Sequence, residues 1–139
     1  MYFKAGDYYV GDLCYVLSDE DYHYLLYISV FSNNMLRWQG EFNGYPLFVA
    51  PTSYGDGVYV DDDGDEYFVD SGRIGIVPVE MINPNKRADL GQIISFETDF
   101  EVYYDDGIFI FGDLVIDTKN FGIGAMLARH IEEKKGENV

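Results

Sequence analysis

The sequence predicts an α+β domain: a strongly bent antiparallel sheet or small β-barrel with two helices, about 18–32 and 120–135, packed on it. Three observations lead there. Short runs rich in aromatic and β-branched residues recur along most of the 139 residues, separated by Gly, Asp, Asn and Pro. Aromatics make up 17% of the chain, chiefly Tyr and Phe, which lie well on a pleated sheet. Two segments break this rhythm with helical signals. The length fits one domain, 1–139, with no linker or low-complexity stretch.

The elements follow in order. "DYYVGDLCYVL" (7–17) reads as strand. In "SDEDYHYLLYISVFS" (18–32), Ser18 with Asp21 three places on forms a capping-box-like start, and acids at 19, 20 and 21 suit the positive end of a helix dipole. The segment after it, Tyr22 to Phe31, is apolar on nearly every side, so the cap decides for helix; such a helix is buried on several faces or carries an interface. "SNNM" interrupts, and Trp38 to Gly44 is a short strand or loop. "YPLFVAPTS" (45–53) is a strand with prolines toward its ends. "GVYVD" (57–61) and "EYFVD" (66–70) flank a turn with Asp63-Gly64 at its tip. "RIGIVPVEMI" (73–82) is a further strand, and 92–99, 100–106, 108–113 and 114–118 form a meander with Asp106-Gly107 at a hairpin tip. In "NFGIGAMLARHIEEKK" (120–135), Ile123, Met126, Leu127 and Ile131 share a helical stripe.

Charge bounds the function. Nine Lys and Arg face 25 Asp and Glu, for a net charge of −16. Direct binding to phosphate backbones or to an anionic membrane surface is disfavoured, while basic proteins and cations suit this balance. The longest apolar run is too short for a membrane span and the first residues carry no apolar leader, so the expected location is the cytoplasm, with a host-cell cytoplasm equally compatible. Cys14 stands alone and reads as a small core residue rather than a nucleophile.

Gly-Asp occurs at 6–7, 11–12, 55–56, 64–65 and 112–113, where composition alone yields about two. Gly within a strand marks a bend, a bulge or a close approach, and Asp there bonds nearby amides. Two readings stay open: corners of a curved sheet, or a convergence of Asp12, Asp56 and Asp113 on a hard cation or polar ligand. The ligand-binding candidates are Asp12, Asp56, Asp70 and Asp113, with Tyr8 or Tyr54 as a stacking wall. "SYGDGVYVDDDGDEYFVDSG" (53–72) crowds seven carboxylates with no Lys or Arg, and Asp61, Asp62, Asp63, Asp65 and Glu66 are the candidate contacts for a basic partner. "DDDGDE" fails as an EF-hand: Glu66 stands where the loop Gly belongs, and Gly72 where the closing Glu belongs. No phosphate loop, G-x-S-x-G or H-E-x-x-H occurs, so the sequence names no catalytic residue, metal or cofactor.

"YYVGDLCYVL" and "YGDGVYVDDDGDEYFVDSGRIGIVP" together resemble a set of small uncharacterised proteins of bacteria and their phages, which carry a Y-x-x-G-D-P-C-Y-V strand and a later Y-G-D-G-x-Y … Y-x-V-D-S-G-x-I-G-I segment. The matches cover about a quarter of the chain, with Leu13 where that set has Pro. The resemblance implies that Gly11, Asp12, Cys14, Gly55, Asp56, Gly57, Asp70 and Gly72 form one spatial feature; it brings no activity. The expected function is a non-enzymatic acidic binding protein meeting a basic protein, with a phage-type inhibitor of a host protein and DNA mimicry as its sharper forms. The alternative is a small-molecule, nucleotide or cation-binding domain, a hydrolase included, at the Gly-Asp corners. Tyr22 to Phe31 is the candidate homodimer face.

Overall fold

The structure is a computed structural model that describes residues 1–31 and 36–120. Strands dominate: β1 (Tyr2–Phe3), β2 (Gly6–Gly11), β3 (Trp38–Phe42), β4 (Tyr45–Pro51), β5 (Gly57–Val60), β6 (Glu66–Val69), β7 (Arg73–Pro78), β8 (Gln92–Phe96), β9 (Phe100–Asp105), β10 (Ile108–Phe111) and β11 (Leu114–Asp117). The one α-helix among the described residues is α1 (Asp19–Val30). The second helix expected, 120–135, lies outside the described residues save for Asn120, which sits in a turn.

All strand pairs are antiparallel. They form a five-stranded sheet in the order β3-β4-β7-β2-β8, a four-stranded sheet β1-β9-β10-β11 and the separate hairpin β5-β6. Both larger sheets end in open edges, so the described residues close no barrel. The architecture is layered. Along β2, Tyr8 and Val10 face the four-stranded sheet and the hairpin, burying with Phe100, Val102, Phe109, Phe111, Tyr59 and Tyr67. Tyr9 turns the other way, to Leu13, Leu17 and Leu25 beneath α1. Period-two alternation thus serves two apolar cores, one on each face of the five-stranded sheet. Central β7, covered on both faces, is buried throughout.

Local chemistry explains most boundaries. Ser18 Oγ accepts from Asp21 N at 3.1 Å and starts α1, as the sequence predicts. Asp106 (φ 45°) and Gly107 (φ 89°) join β9 to β10 with Asp105 opposite Ile108, a two-residue turn whose positive dihedrals match strand twist. Asn43-Gly44 does the same between β3 and β4. Two expectations are corrected. The strand expected over 7–17 ends at Gly11, because Asp12 caps a 3-10 turn over Leu13–Tyr15 through Cys14 N. The strand expected over 73–82 ends at Pro78 and becomes a 3-10 turn at Val79–Met81.

Only Leu25 and Ser29 of α1 are buried; Tyr24, Tyr27, Val30 and Phe31 are exposed, and Tyr27 and Phe31 rings touch at 4.7 Å. Below the last turn of α1 lies Arg73, 2% exposed. Its Nη1 donates to Ser29 Oγ and to the Leu36 carbonyl at 3.1 and 2.9 Å. Its Nη2 meets no acceptor among the described residues. The negative end of a helix dipole favours a cation at this position.

Candidate functional site

Asp12 follows β2 with its side chain fully buried. Its Oδ1 accepts from Cys14 N and Ser71 Oγ at 3.0 and 2.8 Å, and its Oδ2 from Asp70 N and Ser71 N at 2.8 and 2.6 Å. The carboxylate is therefore a bracket clamping the β6–β7 connection to the end of β2. Gly55 and Asp56 reach the same corner: a Cβ on Gly72 would stand 3.7 Å from Gly55 Cα and 4.0 Å from Asp56 Oδ1. Thr52 Oγ1 donates to the Gly55 carbonyl at 2.7 Å and Thr52 N to the Gly72 carbonyl at 3.0 Å. Burial, then Asp12, pushes the Cys14 thiol well above the usual thiol range, and burial raises the Tyr15 phenol too. Protonated groups and a saturated carboxylate make this corner a fastening. Asp56 and Asp70 lie exposed at its outside.

The other candidates go elsewhere. Tyr8 is buried between the sheets, its ring edge-on to Phe100 and its hydroxyl donating to the Lys4 carbonyl at 2.7 Å. Tyr54 is exposed, with its hydroxyl on the Lys119 carbonyl at 3.1 Å. Asp113 is exposed on the β10–β11 turn, apart from Asp12 and Asp56 and beside the acidic β5–β6 turn.

That β5–β6 turn repeats the bracket. Asp61 is 4% exposed; its Oδ1 accepts from Asp63 N and Asp65 N at 2.9 and 3.0 Å, and its Oδ2 from Tyr67 Oη at 2.7 Å. Burial and this bond push the Tyr67 phenol far above its ordinary value. Asp62 Oδ1 accepts from Val115 N at 3.2 Å, tying the turn to β11. Oxygens of Asp61, Asp62 and Asp63 lie within 4.8 Å of one another, but those of Asp61 already serve the turn's amides and Tyr67. Asp63 and Asp65 are exposed; Glu66 is half-buried in β6, its carbonyl taking Gln92 Nε2 at 3.0 Å.

Between this turn and the end of β8 runs a groove of about 630 Å³. One wall is Asp61, Asp63 and Asp65; the other is Ile94 to Phe100; Gly112, Asp113 and Leu114 close the end. Phe96 and Phe100 stack within it at 3.7 Å between centroids. Gly112 makes room for them. Its φ is +61°, and a Cβ there would approach Phe100 Cβ to 3.2 Å and Phe96 Cε1 to 3.4 Å.

Electrostatically the groove is one-sided. Asp99 is served by Ala5 N at 2.8 Å and Lys4 at 3.5 Å, and the amide bond first, then Lys4, holds its carboxyl below the usual range. Asp63, Asp65, Glu97 and Asp113 pair with no cation among the described residues. The other described basic groups are occupied elsewhere: Lys86 with Asp19, Arg87 with Asp89, Lys119 with Asp106, Arg37 over the Phe48 and Tyr104 rings, and Arg73 beneath α1. Sequence reasoning missed Glu97, Phe96 and Phe100, because nothing local joins 96–100 to the acidic hairpin. No protein-family model, curated protein or solved structure matches this chain.

Proposed function

We propose that this chain is a non-enzymatic binding protein that receives a basic protein partner on its acidic groove. The supporting observation is the groove itself: Asp63, Asp65, Glu97 and Asp113 surround an aromatic stack with no cation from the described residues to neutralise them. Carboxylates gathered this way steer a positive partner and select against negative ones. The Phe96 ring offers apolar contact to the methylene stems of Lys or Arg, whose charged heads reach the rim. The best-placed nucleophiles are restrained: Ser71 Oγ donates to Asp12, and desolvation with Asp12 beside it keeps the half-buried Cys14 thiol protonated. A phage-type inhibitor of a basic host protein, with DNA mimicry as one form, is the most specific version of this reading.

The test is binding of a fluorescent lysine-rich peptide across a salt series, to the wild type and to the combined variant Asp63→Asn, Asp65→Asn, Glu97→Gln, Asp113→Asn. Rim charges contribute a few tenths of a kcal/mol each, so the variant binds about tenfold more weakly and with less salt dependence. Equal affinity, or wild-type binding indifferent to salt, refutes the reading.

The groove's volume also lies in the range of small-molecule pockets, which favours a small cationic ligand as the second reading. A thermal-shift series with spermidine, Mg²⁺, Ca²⁺ and nucleotides separates them, since stabilisation follows occupancy. The exposed Tyr24, Tyr27, Val30 and Phe31 face of α1 is the further contact surface in either case, and light scattering decides whether it joins two copies.

A further inference from the structure

One wall of the groove is a sheet edge. Among the described residues β8 ends the five-stranded sheet and pairs only with β2, from Val10 opposite Gln92 to Gly6 opposite Phe96. The hairpin flanks just the approach to β8: Phe68 N donates to the Leu90 carbonyl at 2.9 Å and Gln92 Nε2 to the Glu66 carbonyl at 3.0 Å. Past Gln92 the β5–β6 turn diverges, and the groove occupies the gap. Ile93, at 49%, is the most exposed apolar residue of the strand. An edge strand leaves every second residue's N–H and C=O facing outward, ready for a further strand.

The other described edges suit this less well. The β5–β6 turn already covers that of β11, with Asp62 N on the Val115 carbonyl at 3.0 Å and Val115 N on Asp62 Oδ1 at 3.2 Å. β1 has two residues. β3 adjoins a depression of about 270 Å³ with Glu41 as its one acid.

We infer that the partner enters this groove as an extended basic segment that adds a strand to the outer edge of β8. The inference rests on the binding reading above and specifies how the same groove holds its occupant. Side chains of an added strand recur on one face every second residue, about 7 Å apart, so successive Lys or Arg would run along the carboxylate wall of Asp63 and Asp65 toward Glu97 and Asp113. Backbone pairing supplies affinity and the acidic wall supplies selection. The same wall bars a second copy of this chain: each carries −16, and a second β8 brings Glu97 and Asp99 with it.

The experiment compares a synthetic peptide alternating lysine and valine with its twin N-methylated at every second residue along one edge. Charge and side chains are retained; backbone donors on that edge are lost. The unmodified peptide binds, shifts the amide resonances of β8, and protects from exchange the alternate amides of the strand that face outward. The twin methylated on the pairing edge binds at least about tenfold more weakly, the equivalent of one or two backbone hydrogen bonds. Methylation of the opposite edge serves as the control and has a smaller effect. If both methylated peptides bind like the parent, strand addition is overturned and the acidic groove stands. If the parent itself fails to bind at low salt, the groove reading fails and this inference with it.

Discussion

Asp12 separates a fastening from a ligand site. Its carboxylate takes three backbone amides and one hydroxyl, at 2.6–3.0 Å, in full burial. A hydrogen bond to a charged acceptor contributes about 1.5–3 kcal/mol, and a buried donor left without a partner costs a similar amount. The four bonds share one acceptor group and do not add, so Asp12→Ala costs about 3–4 kcal/mol. Asp12→Asn keeps one acceptor oxygen and turns an NH₂ toward the donors on the other side, costing about 2 kcal/mol. At roughly 3 °C per kcal/mol for a chain of this size, the melting temperature falls by about 10 °C and about 6 °C respectively. Differential scanning calorimetry at neutral pH measures this, and peptide binding well below the melt is measured beside it. The bracket account requires both variants to lose stability in that order while the folded fraction keeps its affinity for the basic peptide. An Ala variant that melts within about 2 °C of the wild type refutes the energetic argument. One that stays folded but no longer binds moves the site to the Gly-Asp corner.

Two further predictions concern buried groups. Arg73→Met is as stable as the wild type or more so, because an apolar side chain of similar length avoids burying a cation with one idle nitrogen, whereas Arg73→Ala leaves a cavity and loses about 3 kcal/mol in urea unfolding; equal losses in both variants would show that the guanidinium's bonds, not its volume, hold α1 down. Cys14, Tyr9 and Tyr67 all carry raised pKa values, by burial first and then by Asp12, Asp12 and Asp61 respectively, with Lys86 opposing at Cys14. An unfolded chain releases the thiol proton near pH 9.0 and the phenol protons near 10.0 while the native state keeps them, so stability is complete below pH 9.0 and is lost as pH rises above it. A pH series of melts shows this fall, and a thiol reagent at pH 9.0 labels the half-buried, protonated Cys14 more slowly than a free thiol; labelling at the rate of a free thiol contradicts it.

Local features were legible in the sequence where their causes are local. Ser18 caps α1 from three residues away, and Asp106-Gly107 needs only its own dihedrals to turn β9 into β10. The β5-β6 hairpin and the existence of strand β7 follow from composition and spacing alone. Asp12 shows where this stops. The run from Asp7 to Leu17 has strand-like composition throughout, yet the chain leaves the sheet at Asp12 to meet donors 58 and 59 positions away. Arg73 was illegible for the same reason: its place beneath Ser29, 44 positions distant, exists only once α1 has docked. The groove is assembled from three connections, β5–β6, β8–β9 and β10–β11, so acid density marked one wall and was silent on the other two.

On the proposed reading, the supply of donors rather than the density of acid marks the carboxylates left over for a partner. Six of the seven carboxylates of 53–72 divide by that criterion. Asp61 is consumed by its own turn's amides and Tyr67, and Asp62 by Val115. Asp56 and Asp70 sit outside a corner whose single inward acid, Asp12, is saturated from 70–71. Asp63 and Asp65 face a groove that also gathers Glu97 and Asp113, and the described chain offers these four no cation. A fold of charge −16 gains stability from carboxylates that accept amide bonds and is opposed by those that only repel one another. Neutralising Asp63, Asp65, Glu97 and Asp113 should thus leave stability unchanged or raise it while weakening the basic peptide. Removing Asp12, which lies outside the groove, should do the reverse. That opposition in sign distinguishes a surface kept for a partner from acids kept for the fold.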